Sequence, residues 1–513
     1  MITNWKKLFY PLSLIISMAL LPSCGSSKYT SLTRVPDPTP KREFRGAWVQ
    51  TVGQSRYRQM NSAEMKNYFS EMVRKFDEAG INALIFQIRP EADAFYKSSL
   101  EPWSRFLTGS QGLAPNDPSF DPLTYLIDEC HKRGMELHAW MNPYRVKTDV
   151  SITLAPQHIY WKYPERFLQY GSQLYFDPGL PENRGFICDV VRDIVSRYDV
   201  DAIHMDDYFY PYPIAGTPFP DDNSFATYSA SQGFAANQRD DWRRNNVNLL
   251  IQQIKYAIAG TKPWVRFGIS PFGIYRNKRS TPDGSGSETS GLQNYDDLYA
   301  DIKLWVEKGW IDYTLPQLYW ETGHKAADYT TLLKWWNANN YRKPLYIGQD
   351  LKRSIDKNEL WEKIRQSRNM TFVNGNCYWY GYQILDNFEG VADMMRNDLH
   401  RTKALIPAYE NMSVKRPKAV KKAKEIFTED MHFLTWESDR QNGNPESAHY
   451  FVVYRFHKGE TVDINRSENI IAVTPDNFFV LPYEGGNRTY TYAVTALDAF
   501  KNESKEKKIK VKL

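Results

Sequence analysis

From residue 44 onward the chain alternates two patterns. Short apolar runs have side chains facing opposite sides with a period of two, and longer stretches repeat apolar positions every three or four residues. The first predicted strand covers 45–51. Ser62 is placed as the N-cap of a helix whose buried stripe is Met65, Phe69, Met72, Val73 and Phe76, and Gly80 stops it. Further strands are expected over 82–89, 136–142, 265–271, 311–320, 344–349 and 376–383, with one more in the run that starts at Asp201. Helices fall between them: one opened by Asp121-Pro122, one striped by Phe186, Ile187, Val190, Val191 and Ile194, and others near 246–258, 296–308 and 391–399. The Gly- and Ser-rich stretch 276–293 reads as a mobile loop. Eight strands each followed by a helix, over about 360 residues, predict an α/β protein of the (β/α)8 barrel type with its site at the C-terminal mouth. A doubly wound open sheet is the alternative, disfavoured because no Gly-rich phosphate loop follows the first strand.

The pattern changes after the barrel. Residues 406–424 carry Lys415, Arg416, Lys418, Lys421, Lys422 and Lys424 around Pro417 and read as a linker with a solvated basic face. Runs 432–436, 450–456, 470–473 and 489–496 are β-rich and separated by polar turns, which predicts a small all-β sandwich over 425–513. Trp436 in an early strand, with Tyr490, Tyr492 and Val494 in a late one, resembles a fibronectin type III module, a spacer rather than a catalyst.

At the other end, Lys6 and Lys7 precede an apolar stretch over 8–21, then Pro22-Ser23-Cys24. The apolar part falls short of the roughly 20 residues of a membrane span and has the layout of a signal peptide. It resembles a bacterial lipoprotein signal, which implies removal of 1–23, acylation of Cys24 and a flexible tether over 24–42. The expected address is then the bacterial cell envelope, with the outer membrane as the expected face and the lipid bilayer as a partner through Cys24. The other cysteines, Cys130, Cys188 and Cys377, are odd in number and widely spaced, so neither a disulfide framework nor a metal cluster follows.

Composition narrows the ligand. Of 513 residues, 15 are Trp, 34 Tyr and 26 Phe, a high aromatic share that suits a large core or a sugar to stack on. A net charge of +5 is too small at this length to imply nucleic acid. No His-x-His or His-Glu-x-x-His spacing calls for a metal, and no Gly-x-Ser-x-Gly elbow points to an esterase, so no cofactor is expected.

The polar residues at the predicted strand ends supply the candidate chemistry. Asp206 and Asp207 end the fourth strand, with Ala202, His204 and Asp206 on one face and Ile203 and Met205 on the other. Glu321 follows the sixth strand. Paired carboxyl groups are what glycoside hydrolysis commonly requires, so Asp206, Asp207 and Glu321 are the catalytic candidates. In this scheme Glu321 is the general acid, its pKa raised by Tyr319 and Trp320, and an Asp is nucleophile or base. Glu91 and Asp93 stand in reserve. Expected to bind substrate are Trp48, Gln87, Arg89, Glu91, His138, Trp140, Asn142, Tyr144, Tyr208, Ser270, Gln317, Tyr319, Trp320, Gln349 and Trp379, which mix hydrogen-bonding groups with aromatic faces. His138 and His204 could in principle flank a metal beside Asp206, but one His per strand favours hydrogen bonding.

Several runs together, Arg45-Gly-Ala-Trp-Val49, Gln87-Ile-Arg-Pro90, Ala139-Trp-Met-Asn-Pro-Tyr-Arg145, Phe176-Asp-Pro-Gly-Leu-Pro-Glu182, His204-Met-Asp-Asp-Tyr-Phe-Tyr-Pro211, Ile269-Ser-Pro-Phe-Gly273 and Pro316-Gln-Leu-Tyr-Trp320, resemble the bacterial glycosyl hydrolase-like 10 family over roughly 43–405. The resemblance implies a barrel glycosidase of the envelope, linked to peptidoglycan glycan strands or related amino-sugar polymers, with the family's strand-four Asp pair at Asp206 and Asp207. The expected function is hydrolysis of such a polysaccharide. The alternative is a glycan-binding envelope lipoprotein without turnover.

Overall fold

The computed structural model describes residues 39–513, so the expectations for residues 1–23, for Cys24 and for most of the tether lie outside the described residues. Eight parallel strands close into a barrel: β1 (Phe44–Val49), β2 (Ala83–Arg89), β3 (Glu136–Met141), β4 (Ala202–Met205), β5 (Arg266–Ile269), β6 (Tyr313–Thr314), β7 (Leu345–Asp350) and β8 (Val373–Trp379), with β8 pairing β1. The period of two sorts their side chains as expected. Leu84, Phe86, Ile203 and Met205 face outward into the core shared with the helices, while Ala83, Ile85 and Ala202 face inward. Both faces are covered, which is why these strands read as nearly unbroken apolar runs.

The barrel interior is polar as well as aromatic. On the inward face lie Glu136, His138 and His204, with Arg266, Tyr313 and Tyr346 from the opposite wall, all nearly or fully buried. Tyr313 Oη meets Nδ1 of His138 at 2.8 Å and Nδ1 of His204 at 2.9 Å, and Trp48 Nε1 donates to His204 Nε2 at 3.3 Å. Gly268 makes room for this layer, since a Cβ there would lie 1.9 Å from the Tyr313 ring.

The details differ from the sequence reading in places. Asn61, not Ser62, caps the first helix (Ser62–Glu78), because its side chain accepts from Ala63 and Glu64 N–H while Glu64 reaches back to it. The sixth strand shrinks to two residues. Pro316 has no N–H to extend the ladder, and its carbonyl instead accepts from Gly348 N at 2.9 Å and Leu318 N at 3.1 Å, so the chain bends there. The stretch 276–293 is pinned rather than loose: Asn277 N donates to Gln293 Oε1 at 2.7 Å, and Ser287 N to the Arg276 carbonyl at 2.9 Å. The insertion after β3 forms a small antiparallel sheet from Arg145–Lys147, Phe167–Tyr170 and Gln173–Phe176.

The C-terminal part forms two antiparallel sheets. One has three strands in the order β9 (Lys421–Phe427), β10 (His432–Glu437), β13 (Phe478–Val480). The other has four in the order β12 (Ile470–Thr474), β11 (Tyr450–His457), β14 (Thr489–Leu497), β15 (Lys507–Lys512). Leu434, Trp436, Phe451, Val453, Tyr492 and Val494 pack between the sheets. The opposite face of the four-stranded sheet, with Val452, Tyr454 and Leu497, packs on Leu405 at the base of the barrel. Ile406 and Tyr409 are buried there too, so the first part of the expected linker belongs to the core. Tyr409 donates to Glu136 inside the barrel base, and Lys501 Nζ lies 3.2 Å from the same carboxylate.

Candidate active site

At the C-terminal ends of the strands the barrel opens into a hollow of about 370 Å³, within the range of about 300–1,000 Å³ typical of small-molecule sites. Trp48, Trp140, Tyr319 and Trp379 make its aromatic lining, set nearly edge-on: Trp48 meets Tyr319 at 88° and Trp379 at 80°. Rings held this way present flat apolar faces between polar edges.

Both carboxylates that follow β4 line this hollow. Asp206 Oδ2 accepts from Trp140 Nε1 at 3.1 Å and Oδ1 from Tyr208 N at 3.3 Å. Asp207 Oδ1 accepts from Gln317 Nε2 at 3.1 Å, and its Oδ2 from the Tyr212 hydroxyl. Gln317 is aimed by its second bond, to the Ser270 carbonyl at 3.0 Å. Burial, together with the neighbouring charge of Asp207, pushes Asp206 up to about 7, against the opposing pull of Arg145. Burial also raises Asp207, and the donors Tyr212 and Gln317 work the other way, favouring its ionised form. Two buried carboxyl groups side by side hold a proton near neutrality, so the site contains both a proton donor and an acceptor. Gln87 is held by Thr51 N–H at 3.0 Å and Val52 N–H at 2.9 Å on its oxygen, while its Nε2 has no hydrogen-bond partner among the described residues. A buried amide of that kind in the wall of the hollow is a donor for a ligand or a water.

The family model described as glycosyl hydrolase-like 10 matches residues 43–363. The chain belongs to the glycosyl hydrolase-like 10 family. It is 38% identical over 492 residues to the glycosyl hydrolase YngK of Bacillus subtilis (strain 168), covering 91% of this chain and 93% of that relative. It is 36% identical over 368 residues to the glycosyl hydrolase DigH of Escherichia coli (strain K12), covering 66% of this chain and 82% of that one. Among solved structures it is similar to the PgaB (BpsB) glycoside hydrolase domain from Bordetella bronchiseptica, with a TM-score of 0.47, 10% identity, and coverage of 69% of this chain and 98% of that domain.

In this glycosyl hydrolase-like 10 protein the hollow gathers Asp206, Asp207, Trp48, Gln87, Trp140, Tyr208, Ser270, Gln317, Tyr319 and Trp379 from the expected set, and leaves eight others outside its lining. Glu321 is the main correction. Its side chain is 26% exposed beside Lys357, whose Nζ lies 4.0 Å away. A backbone hydrogen bond, aided by that cation, holds its carboxyl below the ordinary value, opposite to the rise expected of a buried acid. Gln317 and Tyr319 keep the period of two and both line the hollow, but the chain turns at Glu321, whose carbonyl accepts from His324 N at 3.3 Å, and the phase stops there. Trp320 lies outside the lining and packs edge-on against Phe272 at 5.2 Å.

Four more are bound into the framework. Arg89 is fully buried, with Nε 2.8 Å from Glu101 Oε2 and Nη1 donating to the Pro143 carbonyl at 3.1 Å. Glu91 accepts from Arg105 Nε and from Thr148 N, both at 2.7 Å. Asn142 caps a turn, its Oδ1 accepting from Arg145 N at 2.8 Å. Gln349 donates to Tyr329 Oη at 2.9 Å and Asn376 Oδ1 at 3.0 Å. His138 lies deeper in the barrel, shared between Tyr313 and Glu136, whose Oε2 is 2.9 Å from its Nε2. Tyr144 is fully buried in the outer core. Reserve Asp93 is buried beside Glu91, and burial pushes it up to about 7, yet it too lies outside the hollow.

Sequence reasoning missed Arg145, Tyr212 and Tyr380 as site residues, although the first two sit in or beside the runs that carry the family resemblance. Arg145 lines the hollow and donates from Nε to the Pro90 carbonyl at 3.0 Å. Tyr212 stands one residue beyond Pro211, and only its bond to Asp207 gives it a role. Tyr380 stacks on Trp379 at 4.0 Å on the rim. Gln50, an inward residue just past β1, is also in the wall.

Proposed function

We propose that the protein hydrolyses glycosidic bonds in an N-acetylated amino-sugar polymer of the cell envelope, with peptidoglycan glycan strands as the leading substrate. The observation that carries this reading is the pair Asp206 and Asp207 in one aromatic-lined hollow, with Asp206 near 7. The lining holds no third carboxylate among the described residues. Two consecutive acids suit a substrate-assisted route, in which the sugar's own acetamido group takes the place of the enzyme nucleophile. In that route Asp206 gives its proton to the glycosidic oxygen as the bond from that oxygen to C1 breaks. The acetamido oxygen forms a bond to C1 on the opposite side, and Asp207, whose ionised form the Tyr212 and Gln317 donors favour against the rise from burial, accepts from the acetamido N–H. Water then gives a proton to the Asp206 carboxylate and attacks C1 as the bond from the acetamido oxygen to C1 breaks, which restores the acetamido group and the acid. Tyr319, whose hydroxyl burial keeps protonated, is placed to donate to the acetamido carbonyl.

Export and anchoring through an acylated Cys24 remain part of the proposal, motivated by the layout of residues 6–24. The seven-stranded C-terminal part is proposed to be a fibronectin type III-like base that does no chemistry itself.

Incubating the soluble chain with stripped glycan strands, with chitin-type polymer and with de-N-acetylated polymer tests the reading. New reducing ends are expected only from N-acetylated strands. Binding to all of them without release of any product would instead establish a glycan receptor.

A further inference from the structure

The far end of the molecule carries a surface that hydrolysis does not use. Following the layers down from the hollow, the barrel rests on the four-stranded sheet, and that sheet rests on the three-stranded one. The outer face of β9, β10 and β13 is therefore turned away from the barrel and its hollow. Its register rows are Ile426–Phe433–Val480 and Lys424–Thr435–Phe478. Ile426 is 38% exposed, Phe478 43% and Val480 47%, and Met431 at the β9–β10 turn reaches 51%; Phe427, 69% exposed, pairs with His432 and stacks on it on the other side of the sheet. Isolated exposed apolar side chains need no explanation, but a contiguous set on one sheet face does.

Charge surrounds this face. Stretches 415–424 and 505–512 carry eleven Lys or Arg against one acid, Glu506, and so contribute twice the chain's formal net charge of +5. The remainder of the chain is net negative. The two stretches lead into and include β9 and β15, which pack beside one another; Lys421 and Lys424 share the outer face with Ile426, whereas Lys508, Lys510 and Lys512, paired with Ala493, Thr491 and Thr489, line the adjoining edge on the barrel side. Lys422 is paired with Glu437 at 3.0 Å and Lys508 with Glu506 at 3.3 Å. The acids Glu429 and Asp430 stand at the opposite tip of the β9–β10 hairpin from the lysine end. Protruding Phe, Ile, Val and Met flanked by lysines match the interface of an anionic bilayer: apolar groups enter the acyl boundary while cations meet the headgroups. An anionic polysaccharide would use the cations and leave the apolar row in water.

The path of the chain agrees. Thr39, the first described residue, is at the barrel base, where Ser467 Oγ of the C-terminal part donates to its carbonyl at 2.8 Å. Thr39 thus lies at the end of the molecule that carries the sheets, and not at the mouth.

We propose that the outer face of the three-stranded sheet, with the lysines of β9, docks on an anionic lipid surface and so points the hollow away from the bilayer. This does not depend on the glycosidase reading.

The test is co-sedimentation of the chain from Gly25 onward, which contains every described residue but no acylated cysteine, with vesicles of phosphatidylcholine alone or with phosphatidylglycerol at 30 mole per cent, an amount about typical of anionic membranes. The chain is expected to pellet with the anionic vesicles and to be released by salt. Lys421→Glu/Lys424→Glu should weaken that binding roughly thirtyfold, and Ile426→Ser/Phe478→Ser about tenfold, with thermal unfolding unchanged. Absence of vesicle binding, equal binding by the lysine variant, or retention by an anionic polysaccharide but not by vesicles would each overturn the proposal.

Discussion

Asp206 and Asp207 are neighbours in sequence, but different groups face them. Asp206 has an indole and a backbone N–H, and Asp207 a phenol and a carboxamide. A folded-state pKa near 7 lies above the ordinary carboxylate value, so the folded state favours the protonated form, and that contribution is lost as pH rises from about 4 to about 7. Asp206→Asn is therefore expected to stabilise the protein at pH 8 by about 3 kcal/mol and by much less at pH 4.5, read from denaturant midpoints at the two pH values. Catalysis should run in the same sense, with kcat declining above about pH 7 as the acid loses its proton. Tyr212→Phe removes a donor that favours ionised Asp207. Its acidic limb should move to higher pH and kcat should drop roughly 10- to 100-fold, which a pH–rate profile of the variant measures. The pair was visible in the sequence because two acids close an apolar run. Tyr212 was not, since a tyrosine in a Tyr- and Pro-rich loop has no periodicity to mark it.

At the scale of elements, the strands and helices followed from periodicity because each barrel strand is buried on both faces and each helix on one. The exception is instructive. Across 311–320 the apolar residues looked like one long strand, but regular pairing stops at Thr314; Gln317 still bridges Phe272 and Gly348 and stays in the hollow with Tyr319, and the phase ends where the chain turns at Glu321. Arg89, Glu91, Asn142 and Gln349 were misread for another reason. Polar side chains at strand ends are also what hold long βα loops in place, and sequence alone does not separate the two uses. Inside the barrel, Gly268 is the element-level constraint. Gly268→Ala would drive a Cβ into the Tyr313 ring and disturb the layer beneath Trp48, and should cost about 3 kcal/mol or more of stability by chemical denaturation.

Across the whole molecule, the sheets close the barrel's base instead of hanging from a linker. Glu136 sits under the barrel with Arg266 from β5, Tyr409 from the connecting segment and Lys501 from the turn after β14. Lys501 also lies 3.7 Å from Asp201, and it is almost fully buried. Charges shared in this way couple the two parts, so calorimetry is expected to show one unfolding transition for both. Lys501→Ala should lower stability by about 2 kcal/mol, less than for a lone buried pair because Arg266 still faces Glu136. The two-part division was legible from the change of pattern near residue 410. The docking was not, because Tyr409 and Lys501 lie in segments that read as connection and turn.

The most direct measurement compares kcat on N-acetylated glycan strands for Asp206→Asn, Asp207→Asn and Glu321→Gln in parallel, with strand binding measured for each. The two Asp variants are expected to lose about a thousandfold or more in turnover while still binding, and Glu321→Gln to stay within a few-fold of the unaltered chain. Collapse of turnover in Glu321→Gln with the Asp variants active would contradict the account.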